Sequence, residues 1–415
     1  MKRACEIVFL VFLVSLATMR PNFYLSGVRV VPADFVFPLL ALIVAIAAAT
    51  NRIRFRFDSL YWPIAAYLGA MSLATMFSEK PTDSLPKLAG IFYLAAIAFV
   101  AINLIDSPQK EQRAAKTWII ASTVSAAIGA ITVVNFYVFP ESFWTRLFLH
   151  HYGSLPPGNY PRVQGTFVYP AMLCNYFTIT IALLFGLYSI DRIRCSFFIF
   201  SLALHSIAAI FTLTPGLGGL ILIFAIYLGQ ILRMKGYPNL SRVSSSIGIL
   251  ISIFFIIIAA FSFWRIATSP YRLDIAGLQI DPTQRLLAWQ QAAETFFRNP
   301  IIGRGVGAPA ANVIFKAPSG QMQLLTDAHQ SWLNIAAQAG FLGLAAFIWL
   351  TIALFFRALR AQRAEVTHSA FRRWLFFGFL SAFLYQGLVG SFEDARHLWG
   401  FIGFLAAGHS DGNMR

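Results

Sequence analysis

One histidine and three arginines in this 415-residue chain stand beside helix-start and glycine-rich patterns, settings in which such side chains handle protons and anions. In Asp281-Pro282-Thr283-Gln284-Arg285, Asp281 suits the N-cap, Pro282 the first helical position and Gln284 the third, a capping-box pattern. Arg285 then falls in the first turn, where free N–H groups and the positive end of the dipole favour a phosphate. Its planar fork can grip two phosphate oxygens. The plainer reading is that Arg285 snorkels or pairs with Asp281. Downstream, Asn299-Pro300-Ile301-Ile302-Gly303-Arg304-Gly305-Val306-Gly307 ends the helix. Gly303 and Gly305 would let backbone approach a ligand closely, with Arg304 as a second phosphate contact, or they form a plain turn. No strand precedes them, so a dinucleotide fold is not supported.

In Thr326-Asp327-Ala328-His329-Gln330-Ser331-Trp332-Leu333-Asn334, Asp327 and Gln330 read as a second capping box. His329 is then expected in a first helical turn, where the dipole disfavours imidazolium and leaves a neutral ring free to act as a base. Asp327 would oppose that shift, and the plainer alternative is a histidine bonded to nearby backbone. Arg162, in Pro161-Arg162-Val163-Gln164-Gly165-Thr166-Phe167, is a site contact or an interfacial anchor. The stretch Thr212-Leu213-Thr214-Pro215-Gly216-Leu217-Gly218-Gly219 reads as a tight turn whose small residues permit close helix contact.

The elements that must position these residues follow from composition. The chain is 58% hydrophobic and only 12% charged, with a mean hydropathy of +0.67. One soluble core cannot hide so much apolar surface, whereas lipid can solvate it. Each run must then cross about 30 Å as roughly 20 helical residues, and the runs lack the alternation of barrel strands. The expected fold is therefore an all-α, polytopic bundle of about twelve spans in one integral membrane domain, 1–415. The spans are placed near 5–19, 30–49, 59–77, 85–105, 117–140, 167–190, 196–213, 216–233, 246–264, 331–356, 371–391 and 397–409. The first is read as an uncleaved helix, since no clear small-residue cleavage site follows it.

A formal net charge of +15 suits either nucleic-acid binding or topology control. Charge placement favours topology. With the N-terminus inside, 19 Lys and Arg lie on that side and 7 on the other, the long loop excluded. Both termini are therefore expected in the cytoplasm, the loop 265–330 outside, and no nucleic acid as partner. Within that loop, Leu286, Leu287, Trp289, Ala292, Ala293, Phe296 and Phe297 recur at the spacing of an amphipathic helix. Cys5, Cys174 and Cys195 have no metal-like spacing, so neither a disulfide framework nor a structural metal is expected. Walker A, His-Glu-x-x-His and Gly-x-Ser-x-Gly patterns are absent. Asp34, near the outer end of the second span, is read as a packing or pairing residue.

Arg285…Trp289…Asn299-Pro300-Ile301-Ile302-Gly303-Arg304-Gly305…His329-Gln330…Leu333…Gly340-Phe341-Leu342-Gly343-Leu344 resembles the O-antigen ligase and polymerase family. That family shows an Arg, a Trp, Pro-x-x-Gly-x-Gly, His-Asn, and paired glycines on the next span. Arg162-Val163-Gln164-Gly165-Thr166-Phe167 also looks like the family's segment before its middle spans, and the resemblance covers about 160–356.

The resemblance implies a glycosyltransferase of the bacterial inner membrane. It would move a glycan from undecaprenyl diphosphate to a lipid A–core or other glycan acceptor on the periplasmic face, with no nucleotide sugar, cofactor or metal. It also implies His329 and Arg285 as catalytic residues, with Arg304, Arg162, Gln330, Gly303 and Gly305 binding diphosphate or acceptor. Two departures stand out. Gln330 replaces the family's Asn, and Leu217 falls where many members carry an Arg, so Arg162 or Arg304 would have to supply that charge. A polymerase is the alternative within the family. A transporter fits less well because the spans are nearly free of charge, and a scaffold without catalysis is the remaining rival.

Overall fold

Proline suits the first position of a helix, because its missing N–H falls among donors that have no helical partner there. Pro32, Pro81, Pro108 and Pro170 each occupy the first position of a helix. A computed structural model describes residues 1–25, 28–79, 81–155, 160–237, 239–240, 242–244, 246, 250, 253, 273–275, 278–280, 283–316, 322–364 and 369–407. Its helices are α1 (Lys2–Ser15), α2 (Pro32–Ala49), α3 (Tyr61–Met76), α4 (Pro81–Leu104), α5 (Pro108–Val138), the short α6 (Phe143–Phe148), α7 (Pro170–Tyr188), α8 (Cys195–Ile210) and α9 (Leu217–Met234). There follow α10 (Thr283–Arg298), α11 (Ser331–Ala364), α12 (Ser369–Gly378), a π-helical stretch (Phe379–Tyr385), α13 (Gln386–Val389) and α14 (Arg396–Ala406).

Each expected span except the ninth coincides with a helix or a contiguous helical run. Of the ninth, 246–264, only 246, 250 and 253 are described, and Asp281 and Pro282 lie outside the described residues. Among the described residues six helices are long and apolar enough to cross a bilayer: α2, most of α4, α5, α7, α9 and most of α11. The sequence expectation of about twelve included short first and last runs that could be tilted or only partly inserted. The run at 397–409 forms α14, an 11-residue helix whose residues from His397 onward are buried in the bundle. At 1.5 Å per residue it spans about 16 Å, roughly half the hydrocarbon thickness. Arg357 and Arg372 close its C-terminal end by donating to Ala406 O and Phe404 O.

The all-α expectation holds for most of the chain, and among the described residues four short antiparallel hairpins add to it. They pair β1 (Phe23–Leu25) with β2 (Val28–Val30), β3 (Leu149–Leu155) with β4 (Tyr160–Val163), β5 (Leu273–Ile275) with β6 (Leu278–Ile280), and β7 (Val313–Lys316) with β8 (Met322–Leu325). All four fall in connecting segments, where short ladders satisfy backbone groups that no helix covers.

The outward faces are apolar. Phe35, Leu39, Leu42 and Ile46 of α2, and Ile120, Val124, Ile131 and Val134 of α5, are exposed. Such continuous apolar faces require a solvent other than water. Between helices, small residues set the approach: a Cβ on Gly403 would lie 2.5 Å from Ala101 Cβ, and one on Gly129 2.9 Å from Ala208 Cβ.

Ion pairs fix which helix ends lie together. At one end Asp58 meets Arg357 at 2.7 Å, Glu111 meets Arg372 at 2.8 Å, and Glu6 meets Arg113 at 2.9 Å. At the other, Asp34 grips Arg396 through both oxygens at 2.6 and 2.7 Å. Arg20 donates to Leu147 O and Phe167 O there. The segments around 162, 212–217, 283–316, 322–330 and 389–395 collect at the Asp34–Arg396 end.

Candidate functional site

The site is assembled where α10, the start of α11 and the segment after α13 meet. On α10, Arg285, Ala288 and Ala292 share one face by helical spacing, and both alanines are fully buried. Their small size lets α10 lie close to its neighbours. Trp289 and Leu333 pack around Ala292, Ala310, Ala328 and Ala337. Thr295 Oγ1 donates to Ala310 O, and Asn312 N donates 2.6 Å to Gln291 Oε1, holding the following chain against α10. Arg285, at the head of this face, donates from Nη1 to Val389 O at 3.0 Å. Burial, then the nearby Arg162 charge, draws its pKa down to about 10, with Asp327 acting in the opposite sense. The guanidinium therefore remains charged at neutral pH, and its surroundings favour an anion.

Arg162 donates from Nε to Thr212 O at 3.4 Å, at the turn before α9. Leu217, where the family's Arg was expected, begins α9 and is half-buried. Gln386 Nε2 donates 2.9 Å to Gly216 O and 2.8 Å to Thr178 Oγ1, so this turn is pinned to α13 and α7. The structure thus brings Arg162 to the turn that lacks its own cation.

Asp327 does not cap α11, contrary to the sequence expectation. The helix begins at Ser331, and Gln330 Oε1 accepts 2.5 Å from Leu333 N. Gln330, expected as a substrate contact, therefore uses its carbonyl as the cap, a task Asn performs with one methylene less. The physical cause lies at His329, whose φ of 50° is left-handed and cannot continue a helix. Such a conformation in a non-glycine residue marks a position the surroundings over-determine. His329 is therefore ahead of the first turn, and Asp327 rather than the helix dipole orients it. Asp327 Oδ1 accepts 2.5 Å from His329 N and lies 3.2 Å from His329 Nδ1. Burial pushes the Asp327 carboxyl up, but hydrogen bonds from His329 and Ser391 outweigh it and hold the pKa below the ordinary value.

The glycine segment sits elsewhere. Gly340 (φ 62°, ψ −158°) breaks α11, and the chain from Pro300 to Gly307 docks on the break. Phe341 N donates 2.7 Å to Pro300 O, Arg304 N donates 3.0 Å to Ala337 O, and Gly305 N donates 2.9 Å to Gln338 O. A Cβ on Gly303 would stand 2.4 Å from the Gln338 carbonyl carbon. The close approach that Gly303 and Gly305 permit is made to a helix and to Ser78, not to open space. The side chain of Arg304 reaches Glu79 at 3.5 Å, so it does not join the group around Arg285.

Sequence reading missed the segment after α13. Ser391 donates to Asp327 Oδ1, while Asn334 Nδ2 bridges Asp327 Oδ2 at 3.4 Å and Glu393 Oε1. Ser331 Oγ donates 3.1 Å to Gly390 O and accepts 2.9 Å from Phe392 N, which fixes the segment to α11. Burial, with the Asp327 and Asp394 carboxylates, raises Glu393 to about 8. A Ser-Phe-Glu-Asp run between two apolar stretches was the only available signal, and it lies some sixty residues from His329.

Arg285, Arg162, Asp327 and His329 thus share one end of the bundle, an arrangement able to hold a diphosphate and take up a proton. Residues 177–348 match the model of a family described as O-antigen ligase. No curated protein matches the chain. The matched stretch runs from α7 into α11 and contains Arg285, Arg304 and His329 but not Arg162 or Glu393. The chain is a multi-pass membrane protein whose stretch 177–348 is similar to the O-antigen ligase family.

Proposed function

We propose that the protein transfers a glycan from undecaprenyl diphosphate to the lipid A–core on the periplasmic side of the inner membrane. Both termini are then cytoplasmic, the core of the enzyme is 160–356, and the Asp34–Arg396 end faces out. The observation that carries the reading is the meeting of two guanidiniums with an Asp–His pair at one bundle end. Arg285 and Arg162 hold the diphosphate and offset the charge that develops as it leaves. Gln330, Gly303 and Gly305 contribute by shaping the start and the break of α11, and Arg304 by tying the glycine segment to Glu79. His329, oriented by Asp327, accepts the proton of the acceptor hydroxyl as its oxygen attacks the anomeric carbon. The bond from that carbon to the diphosphate oxygen breaks, and undecaprenyl diphosphate departs with the electron pair. Apolar helix faces give the lipid carrier lateral access from the membrane lipids.

Transfer by purified protein tests this directly. Substantial loss of turnover in both His329→Ala and Arg285→Ala is expected, and wild-type turnover in both would sink the assignment. A polymerase of the same family acts on a lipid-linked glycan acceptor instead. Lipopolysaccharide from a deletion strain separates the two: a ligase defect leaves long glycan on the carrier, and a polymerase defect leaves one repeat on the core.

A further inference from the structure

Two buried side-chain oxygens beside the Asp327–His329 pair have no hydrogen-bond partner among the described residues: Asn334 Oδ1 and Glu393 Oε2. They belong to side chains already joined to each other, since the Asn334 amide donates to the other oxygen of Glu393 and to Asp327. Asn334 is only 5% exposed, and buried polar atoms are normally paired because leaving one unpaired forfeits its solvation. The main chain of both residues is anchored. Asn334 N donates 3.0 Å to Gln330 O in the first turn of α11. The main-chain oxygen of Glu393 accepts 2.8 Å from Trp399 Nε1 of α14. These atoms therefore stand at fixed positions next to the candidate base, with unspent hydrogen-bonding capacity.

The chemistry of the pair selects its ligand. Asn334 Oδ1 can only accept. Glu393, raised to about 8, carries a proton at neutral pH, and because Oε1 already accepts from Asn334, that proton sits on Oε2, which can donate. An acceptor and a donor on two side chains that are bonded to each other match a hydroxyl group, which both donates and accepts. A metal ion would require acceptors alone, and among the described residues no His, Cys, Asp or Glu group is placed to hold one. A phosphate would meet the Asp327 and Asp394 charges.

We propose that Asn334 and Glu393 form the subsite that holds hydroxyl groups of the acceptor sugar and so delivers its attacking oxygen to His329. The subsite rests on the glycosyl-transfer reading above. It assigns acceptor recognition to residues of α11 and the α13–α14 segment, and donor recognition to Arg285 and Arg162. Acceptor selectivity then belongs in part to the stretch after α13, beyond the residues that match the family.

The test separates the two substrates kinetically. With undecaprenyl-diphosphate glycan as donor and lipid A–core as acceptor, Asn334→Ala and Glu393→Ala are expected to raise the acceptor KM about tenfold, the factor that corresponds to roughly 1.4 kcal/mol. Donor KM should stay within about threefold. Glu393→Gln, which keeps a neutral donor in place, should restore acceptor KM to within about threefold of wild type, and it serves if Glu393→Ala does not fold. Independently of turnover, core oligosaccharide alone should raise the melting temperature of the wild type and not that of Asn334→Ala. An unchanged acceptor KM in Asn334→Ala, or a rise confined to donor KM, overturns the subsite while leaving the transfer reading in place. Wild-type turnover in both His329→Ala and Arg285→Ala would instead overturn the transfer reading itself.

Discussion

His329 Nδ1 lies 3.2 Å from Asp327 Oδ1, and the same carboxylate oxygen accepts the His329 main-chain N–H. One acid thereby fixes both the ring and the left-handed backbone that presents it. With Nδ1 directed at the carboxylate, Nε2 is the nitrogen left to take a proton. Asp327→Asn keeps the shape but removes the charge that stabilises imidazolium. Expected is a fall in kcat of about 100-fold with donor KM little changed, within the usual range for lost acid–base function. Steady-state kinetics at fixed pH read both quantities.

The Arg162 charge lies near enough to lower the Arg285 pKa, while Asp327 acts in the opposite sense. Removing Arg162 should relieve Arg285 yet weaken the hold on a doubly charged donor. Arg162→Ala is expected to raise donor KM about tenfold and to flatten its dependence on ionic strength. Arg285→Lys should not rescue activity, because an ammonium cannot reproduce the planar fork. Donor titrations at several salt concentrations check both.

Glu393 has its pKa raised in the folded protein to about 8 from an ordinary value of 4.5. The folded state therefore holds this proton more tightly than the unfolded chain does. Its contribution to stability is complete below the unfolded value and is lost as pH rises toward 8. Asp327, held low, contributes in the opposite sense, with stability lost as pH falls. The melting temperature in detergent should decline from pH 5 to pH 8 more steeply in the wild type than in Glu393→Gln. Parallel curves would contradict the assignment.

Gly303 and Gly236 both have positive φ, 77° and 80°, but only Gly303 has backbone against it. Alanine at Gly236 meets conformational strain alone, roughly 1–2 kcal/mol. At Gly303 it also collides with Gln338 and Ala339, so the segment must lift from the break in α11. Gly303→Ala should lower the melting temperature clearly more than Gly236→Ala, and it should lower transfer activity because the start of α11 carries the site.

Asp34 and Arg396 make a two-pronged pair with 16% and 22% side-chain exposure. Asp34→Ala leaves a mostly buried guanidinium over Tyr93 without its carboxylate. A loss of about 3 kcal/mol is expected, as for other pairs broken on one side, and Arg396→Met together with Asp34→Ala should recover part of it. Chemical denaturation in detergent measures each.

The amino-acid sequence by itself determined the helical runs, the amphipathic helix in the long loop and the identity of the Arg and His candidates. These follow from local composition, because a lipid-solvated backbone must pair within its own segment and a capping or helix-face pattern is read over a few residues. Tertiary structure decided the rest. That Asp327 orients His329 rather than capping α11 turns on the left-handed backbone at His329, whereas the docking of Gly303 on the break at Gly340 and the bond from Asn334 to Glu393 join residues far apart in the sequence. The crossing count depends on it too. Whether an apolar run faces lipid or is enclosed, as α14 is, is set by its neighbours, and a hydrophobic residue reads the same in either place.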